Sequence, residues 1–567
     1  MNKSSLKKHI PAIFFTLSLA LYAFLANILR GGPDFNDETE KLVGAMLITD
    51  GMHLYKDMFA HHGPFSYMIA HLFYWLTGSR DIAIYRFIPI LFSLCAIAAI
   101  AFSPAIKKTN YRLFAAGFFA LGLATTQATY GLMLALYQIY AGHLVVCVLA
   151  LLVIPIVTGN KASRLGAYLS GLALGFTFFS AYSFVVTCGL LALICFISAF
   201  IKNENQASNK TSLYHAAFGA LTSLAAVTTY LYLFGDIKGY GVFHFYFNQI
   251  IYAKFSNYAP FDVLHFIVPI IGYFTSTTPL SSAWPSYTIS SAVGIFSFLL
   301  FINLRKEKKD TAIISLTYCA LLLLGVIFTN PRSAPRSADN FQIDTLVIVA
   351  LGFLSVTICH ILSRFESWKS PLPKNTLIIS SLLFISLLIT PWTVRTYLYD
   401  VSTKKYYSRM KGDLSKSETK EFNLLRTIVG PDEKVQQFPY DLLFYIKIDR
   451  LPASGNYYYL PWQDKYFQDP ISGYKIDVCS DMEAKLPKII YYFKSAIWGY
   501  PTSSYLSCIE KLLETKYLPT SIVKNVWIRA DITASRDDLL TAAIISKDFN
   551  PDWLDKNLQK RLKNQTR

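Results

Sequence analysis

The chain has 567 residues, 53% of them hydrophobic and 16% charged, with a mean hydropathy of +0.36. That balance excludes a soluble globular domain and predicts a polytopic α-helical membrane protein. The formal charge of +17, from 53 Lys and Arg against 36 Asp and Glu, fits cytoplasmic loops and lipid headgroups; no basic, aromatic-interleaved module is present, so nucleic acid is not an expected partner.

The chain opens MNKSSLKKH and enters an apolar run at 10–29. This run is too long for a secretory signal and no small-x-small cleavage site follows, so it reads as an uncleaved first span. Further runs at 82–103, 111–126, 143–158, 165–181, 183–201, 213–234, 288–304, 311–329, 342–363 and 375–393 bring the total to about eleven spans. Lys3, Lys7 and Lys8 place the N-terminus in the cytoplasm. Lys107 with Lys108 and Arg112, Lys161 with Arg164, Lys202 with Lys210, RKEKKD at 305–310, and Arg364 with Lys369 and Lys374 mark later cytoplasmic turns. The series stays in phase only if 261–274 does not cross. That stretch, like 65–77, reads as a re-entrant or interfacial helix on the outer face.

An odd number of spans puts the C-terminus outside. The expected division is a transmembrane domain at 1–396 and an extracytoplasmic α/β domain at 397–567. In the latter, Ser415 and Glu418 have capping-box spacing and Gly430-Pro431 ends the helix. KVQQF, KIIYYF and VWIRADI read as strands and CIEKLLETKY as a helix. Six of the eight cysteines (Cys95, Cys147, Cys188, Cys195, Cys319, Cys359) lie in apolar runs as small packing residues. Cys479 and Cys508 are expected to form a disulfide outside the cell, the alternative being two thiols. There is no internal repeat, low-complexity tract or Gly-rich phosphate loop.

The informative segment is the first outer loop, residues 31–64: GGPDFNDETEKLVGAMLITDGMHLYKDMFAHHGP. Asp34, Asp37, Glu38, Asp50 and Asp57 crowd a membrane-facing loop, where carboxylates are costly. Asp37 and Glu38 start a helix, where the dipole alone favours acids; the functional reading is a general base or an anchor for acceptor or metal. Asp57 and His61 are spaced to face each other on a helix. His53, His61, His62 and His71 invite a metal, but their spacing fits no zinc pattern, and hydrogen-bonding interfacial histidines are the alternative. In TNPRSAPRSADNFQID, at 329–344, Arg332 and Arg336 break the cytoplasmic charge bias. They are candidates for a lipid phosphate, against ordinary snorkelling. Lys254 is a second candidate cation. NYYYLPWQDKYFQD has the aromatics of a carbohydrate site, a domain core or a membrane-resting face.

The first loop resembles that of the GT-C superfamily of polytopic glycosyltransferases, of the protein O-mannosyltransferase and aminoarabinose-transferase type. The resemblance rests on Asp37-Glu38 at a helix start, the segment from Gly51 through Tyr55 to Asp57, and the Gly63-Pro64 turn. It extends more loosely to the span count, the Arg-bearing loop and the outward domain. It implies a GT-C-like fold and transfer of a sugar from a polyprenyl-phosphate donor to an acceptor (glycan, lipid or protein) at the outer face of a bacterial inner membrane. The implied roles are Asp37 as base, Glu38 as its catalytic neighbour, Arg336 and Arg332 on the departing phosphate, and Tyr55, Asp57, His61, His62 and Lys254 on substrate. No cofactor and no metal ligands are assigned, a divalent cation being the alternative. Many relatives carry a second acid in the second outer loop. Here that loop, TTQATYGLMLALYQIYAG, has none, and Gln127, Gln138 or Tyr140 stand in the space. The alternatives are a lipid-linked glycan polymerase or ligase, a transporter of lipid-linked sugar, and a non-catalytic binder.

Overall fold

The computed structural model describes residues 3–32, 35–201, 205–256, 284–307, 312–329, 344–365, 416–475, 477–519 and 523–530. The first ten predicted apolar runs all fall on helices. The eleventh, the 261–274 stretch, Ser415 and the boundary near 397 lie outside the described residues. Among the described residues, six helices are long and apolar enough to cross a bilayer: His9–Leu29, Ile82–Ala101, Tyr137–Val157, Tyr182–Phe200, Gln206–Phe234 and Asp344–Arg364. The last is buried along its length and forms the centre of the bundle. The outward faces of α1 (Lys3–Leu29) and Gln206–Phe234 carry bare apolar side chains such as Leu17, Phe24, Phe218 and Leu221, as a lipid-facing surface requires.

Between helices in lipid there is little hydrophobic drive, so close backbone packing does the holding. Helices Arg164–Ser180 and Gln206–Phe234 cross on small residues. A Cβ on Gly171 would stand 1.8 Å from the Ala216 carbonyl oxygen, and one on Gly219 2.0 Å from that of Tyr168.

The first outer loop folds into α2 (Asn36–Thr49), an irregular turn, and α3 (Pro64–Thr77). Asp37 and Glu38 occupy the first turn of α2, and the Glu38 side chain accepts from the Phe35 backbone N–H. Pro64 is pre-set for the first turn of α3 after Gly63. At 14 residues α3 is about 21 Å long, short of the ~30 Å hydrocarbon layer. Residues 50–63 form no helix. Leu54 instead bridges to the end of Gln206–Phe234 through Leu54 N–H to Phe234 and Asp236 N–H to Leu54. Asp57 therefore does not face His61; it pairs with His53 at 3.0 Å on the surface.

Residues 416–530 build a four-stranded sheet in the order β1 (Gln436–Phe438), β2 (Ile489–Tyr492), β6 (Val526–Arg529), β5 (Tyr517–Pro519). β1 and β2 are parallel and the other pairs antiparallel. A separate hairpin joins β3 (Ala496–Ile497) to β4 (Tyr500–Pro501). The three expected strands and the 507–516 helix are present; β5 and the hairpin are additions. Cys479 and Cys508 are disulfide-bonded, tying helix Val478–Lys485 to Ser507–Lys516. Cys188, Cys195, Cys319 and Cys359 are buried, whereas Cys95 faces outward.

The sheet region sits directly on the first loop. Both contribute to one hydrophobic cluster, which includes Leu42, Tyr55 and Phe59 from the loop and Tyr445, Tyr457 and Tyr466 from the sheet region. Gly455 lets the two backbones touch: its Cβ would stand 1.8 Å from the Asp57 carbonyl oxygen. Lys434 also pairs with Asp50.

Candidate active site

A cavity of about 300 Å³ lies where α2, one end of the bundle and the sheet region meet. Asp37 and Glu40 line it from α2, and Glu38 does not. On a helix, neighbours in sequence point about 100° apart, whereas positions three apart share a face. The acidic pair is thus split between two environments.

Asp37 is half-buried at the cavity wall, and the Tyr440 hydroxyl donates to its Oδ1 at 2.7 Å. Burial, and then the Asp37 charge, push the Tyr440 phenol well above its ordinary range, so it stays a donor. No described residue bonds the other Asp37 oxygen. The carboxylate is therefore oriented on one side and open on the other.

Glu38 is fully buried behind α2. The Arg86 guanidinium grips both oxygens, and the Ala135 N–H donates to Oε2 at 3.0 Å. Burial pushes this carboxyl up and Arg86 pulls it back. Arg86 also donates to the carbonyls of Arg30 and Gly32. Glu38 is in this way a knot joining α1, the first loop and the turn before Tyr137.

Glu40 was not singled out in the sequence. It is fully buried, 2.9 Å from Lys41 Nζ and 3.2 Å from His62 Nδ1, and accepts from the Tyr67 hydroxyl at 2.5 Å and the Tyr458 hydroxyl at 3.4 Å. Burial alone would raise this carboxyl, but Lys41 and then His62 hold it well below the usual range. Lys41 Nζ also lies 2.9 Å from His62 Nδ1. Nδ1 thus stands between an ammonium, which can only donate, and the Glu40 carboxylate, which can only accept. Burial and Lys41 hold the His62 ring below its ordinary value, which keeps it neutral at pH 7.

His61 and His62 both line the cavity. The His61 carbonyl accepts from His244 Nδ1 at 3.2 Å and Asn248 Nδ2 at 2.7 Å. These two partners, and Tyr252, ride on a π-helical stretch, Gly241–Tyr252, whose wide turns bring residues 244, 248 and 252 toward one face. Tyr55 is buried outside the cavity and donates to the His62 carbonyl at 2.6 Å, with a left-handed φ of 66°. Asp57 and Lys254 are exposed and do not line the cavity. Arg332 and Arg336 lie outside the described residues.

Of the three residues standing in for the second acid, Gln138 lines the cavity and Gln127 and Tyr140 do not. A carboxylate comes to Gln138 from elsewhere. Asp344 begins the central helix, is 1% exposed, and neighbours Thr345, which lines the cavity and donates to the Gln138 carbonyl at 3.1 Å. Among the described residues Asp344 Oδ2 has no hydrogen-bond partner, and no three His, Cys, Asp or Glu side chains converge to hold a metal ion.

Two crystal structures of ArnT from Cupriavidus metallidurans share this fold. The one bound to undecaprenyl phosphate matches with a TM-score of 0.53 and 13% identity, over 92% of this chain and 98% of that one. The apo form matches with a TM-score of 0.52 and 12% identity, over 94% and 99%. No family model and no curated protein matches the chain. The chain is a polytopic membrane protein that shares the fold of these ArnT structures.

Proposed function

We propose that the chain is a glycosyltransferase that moves a sugar from a polyprenyl-phosphate donor to an acceptor at the extracytoplasmic face, by direct displacement with inversion. The carrying observation is the Asp37 carboxylate, oriented by Tyr440 and open to a cavity of about 300 Å³. The fold is that of a protein crystallised with undecaprenyl phosphate.

In this reading the acceptor hydroxyl attacks the anomeric carbon of the donor sugar. The bond from that carbon to the phosphate oxygen breaks, and the polyprenyl phosphate leaves with the electron pair. Asp37 takes the hydroxyl proton as general base. His62, held neutral and lining the cavity, offers a ring nitrogen suited to a sugar hydroxyl. Glu40 and Lys41 anchor its Nδ1. Arg336 and Arg332 are proposed to hold the departing phosphate, as guanidinium grips phosphate with paired donors. Glu38 acts at one remove by holding α2, and Tyr55 by holding the His62 backbone. Asp57 and Lys254 have no part in it. The proposed setting is a bacterial inner membrane with the N-terminus cytoplasmic and the sheet region outside, as the loop charges direct.

The test uses purified protein in nanodiscs with lipid-linked sugars extracted from its own membranes. Donor consumption is followed by mass spectrometry. Wild type is expected to consume one donor, and Asp37→Asn to lose about 10²–10⁴-fold in rate while still folded. Equal rates in the two proteins would remove Asp37 from the mechanism, and no consumption by wild type would remove the reaction.

A further inference from the structure

The aromatic run around Trp462 divides in the structure. Tyr457 and Tyr466 are fully buried in the core, whereas Trp462 lines the cavity. Two more aromatic rings meet it there from separate elements. Trp498 comes from the β3–β4 hairpin, 4.8 Å from the Trp462 ring, and Tyr252 from the π-helical stretch, 5.2 Å from Trp462 and 5.9 Å from Trp498. Trp498 is 52% exposed although it lines the cavity, so its ring stands at the mouth. It forms the hairpin tip with Gly499, both at positive φ (51° and 85°). A tip of this kind normally carries Asn or Asp before the Gly, and a bulky side chain there is unusual.

Three buried polar atoms on residues lining the same cavity have no partner among the described residues: Trp462 Nε1, His244 Nε2 and Gln138 Oε1. Trp462 itself is 5% exposed. Nε1–H of Trp462 can only donate. His244 has its Nδ1 engaged by the His61 carbonyl, so that nitrogen carries the proton and Nε2 is a bare acceptor. Gln138 Oε1 is a second acceptor. Such groups stay buried only when something satisfies them.

We propose that this aromatic platform is the acceptor subsite, and that the acceptor is a carbohydrate. The inference rests on the transferase reading above. A pyranose has one face of C–H bonds, which suits the negative face of an aromatic ring. Its rim carries hydroxyls that donate and accept, as the three unpartnered atoms require. An acyl or isoprenoid chain would pack on the rings but leave those atoms unsatisfied. The acceptor sugar enters over Trp498, packs on the cavity-facing side of the aromatic cluster, and presents a hydroxyl toward Asp37.

The test separates this site from the reaction. Full-length protein in nanodiscs is titrated with the water-soluble oligosaccharides released by mild acid from the envelope of the source cells, and its tryptophan fluorescence is read without donor. A saturable change is expected. In Trp498→Ala the half-saturating concentration should rise about tenfold, the worth of one well-stacked ring, while Trp498→Phe stays close to wild type. Trp462→Phe keeps the ring and loses the N–H, and should fall between them. If the protein turns over donor, Trp498→Ala and Trp462→Phe should raise the half-saturating oligosaccharide and leave that of the donor unchanged. No saturable change with oligosaccharide overturns the subsite whether or not donor is consumed, as does donor consumption that depends on a deglycosylated membrane-protein fraction. Nanodiscs of brominated phospholipid supply the remaining arm: quenching lost in Trp498→Phe would make the tip a membrane anchor and overturn the proposal. Saturable binding without donor consumption would uphold the subsite and sink the transferase reading.

Discussion

Glu38 and Glu40 stand two residues apart on one helix, both buried, and do opposite work. Behind α2, Glu38 spends its hydrogen-bonding capacity on Arg86, Ala135 and its own helix start. In front, Glu40 faces the cavity and is coupled to Lys41, His62, Tyr67 and Tyr458. The rear pocket ties chain segments together; the front pocket gathers charged and polar groups at the cavity wall. A buried carboxylate is thus not by itself a sign of catalysis. What distinguishes the two is whether any neighbour faces open volume.

The comparison breaks if the rear pocket carries the chemistry. Glu38→Ala leaves the Arg86 charge buried without its carboxylate and should cost about 3–5 kcal/mol. The expected readout is poor yield and a lower melting temperature, and a stable but inactive protein would contradict it. On the front side, Tyr440→Phe removes one donor from Asp37 and should slow turnover about tenfold or more, with the melting temperature nearly unchanged. A large stability loss there would erase the distinction.

Reduction of Cys479–Cys508, remote from both pockets, releases a link spanning 29 residues. It should destabilise the sheet region by about 3 kcal/mol, seen as earlier proteolysis, with α2 affected only through the shared core.

The smallest expected effect is on pH. The folded His62 ring lies below its ordinary 6.5, so the unfolded chain takes up that proton first. Its stability contribution is full above 6.5 and declines as the pH falls below it. Glu40 is depressed below 4.5, so its contribution is full above 4.5 and is lost only as pH falls through the lower folded value. Melting temperatures from pH 8 to 5 should therefore fall in wild type, and fall less in His62→Asn. Parallel curves would show that His62 is not held neutral.

Much of the fold was legible because hydropathy and length mark spans directly. The ten described runs needed no knowledge of partners. The site was legible only in part. Asp37 follows from its place at a helix start in an outer loop. Reading Asp37 and Glu38 as one unit, however, ignored the helical turn between them; the three-residue spacing from Asp37 to Glu40 was the available signal. Tyr440, Tyr458 and Trp462 could not be placed from the sequence, because no local pattern says which outer-domain aromatics reach a loop some 400 residues away. Asp344 was hidden differently. It reads as the polar start of a span, and only packing against Gln138 and Thr345 brings it beside the cavity wall.

The bond between Tyr440 and Asp37 joins positions 403 residues apart. At about 5–20 residues per second, a ribosome needs about 20–80 s to travel that distance. The base candidate is thus threaded into the membrane long before the phenol that aims it exists. A half-made chain carries the carboxylate without its orienting clamp, and that bond forms only once the last quarter of the chain has emerged and folded back over the first loop.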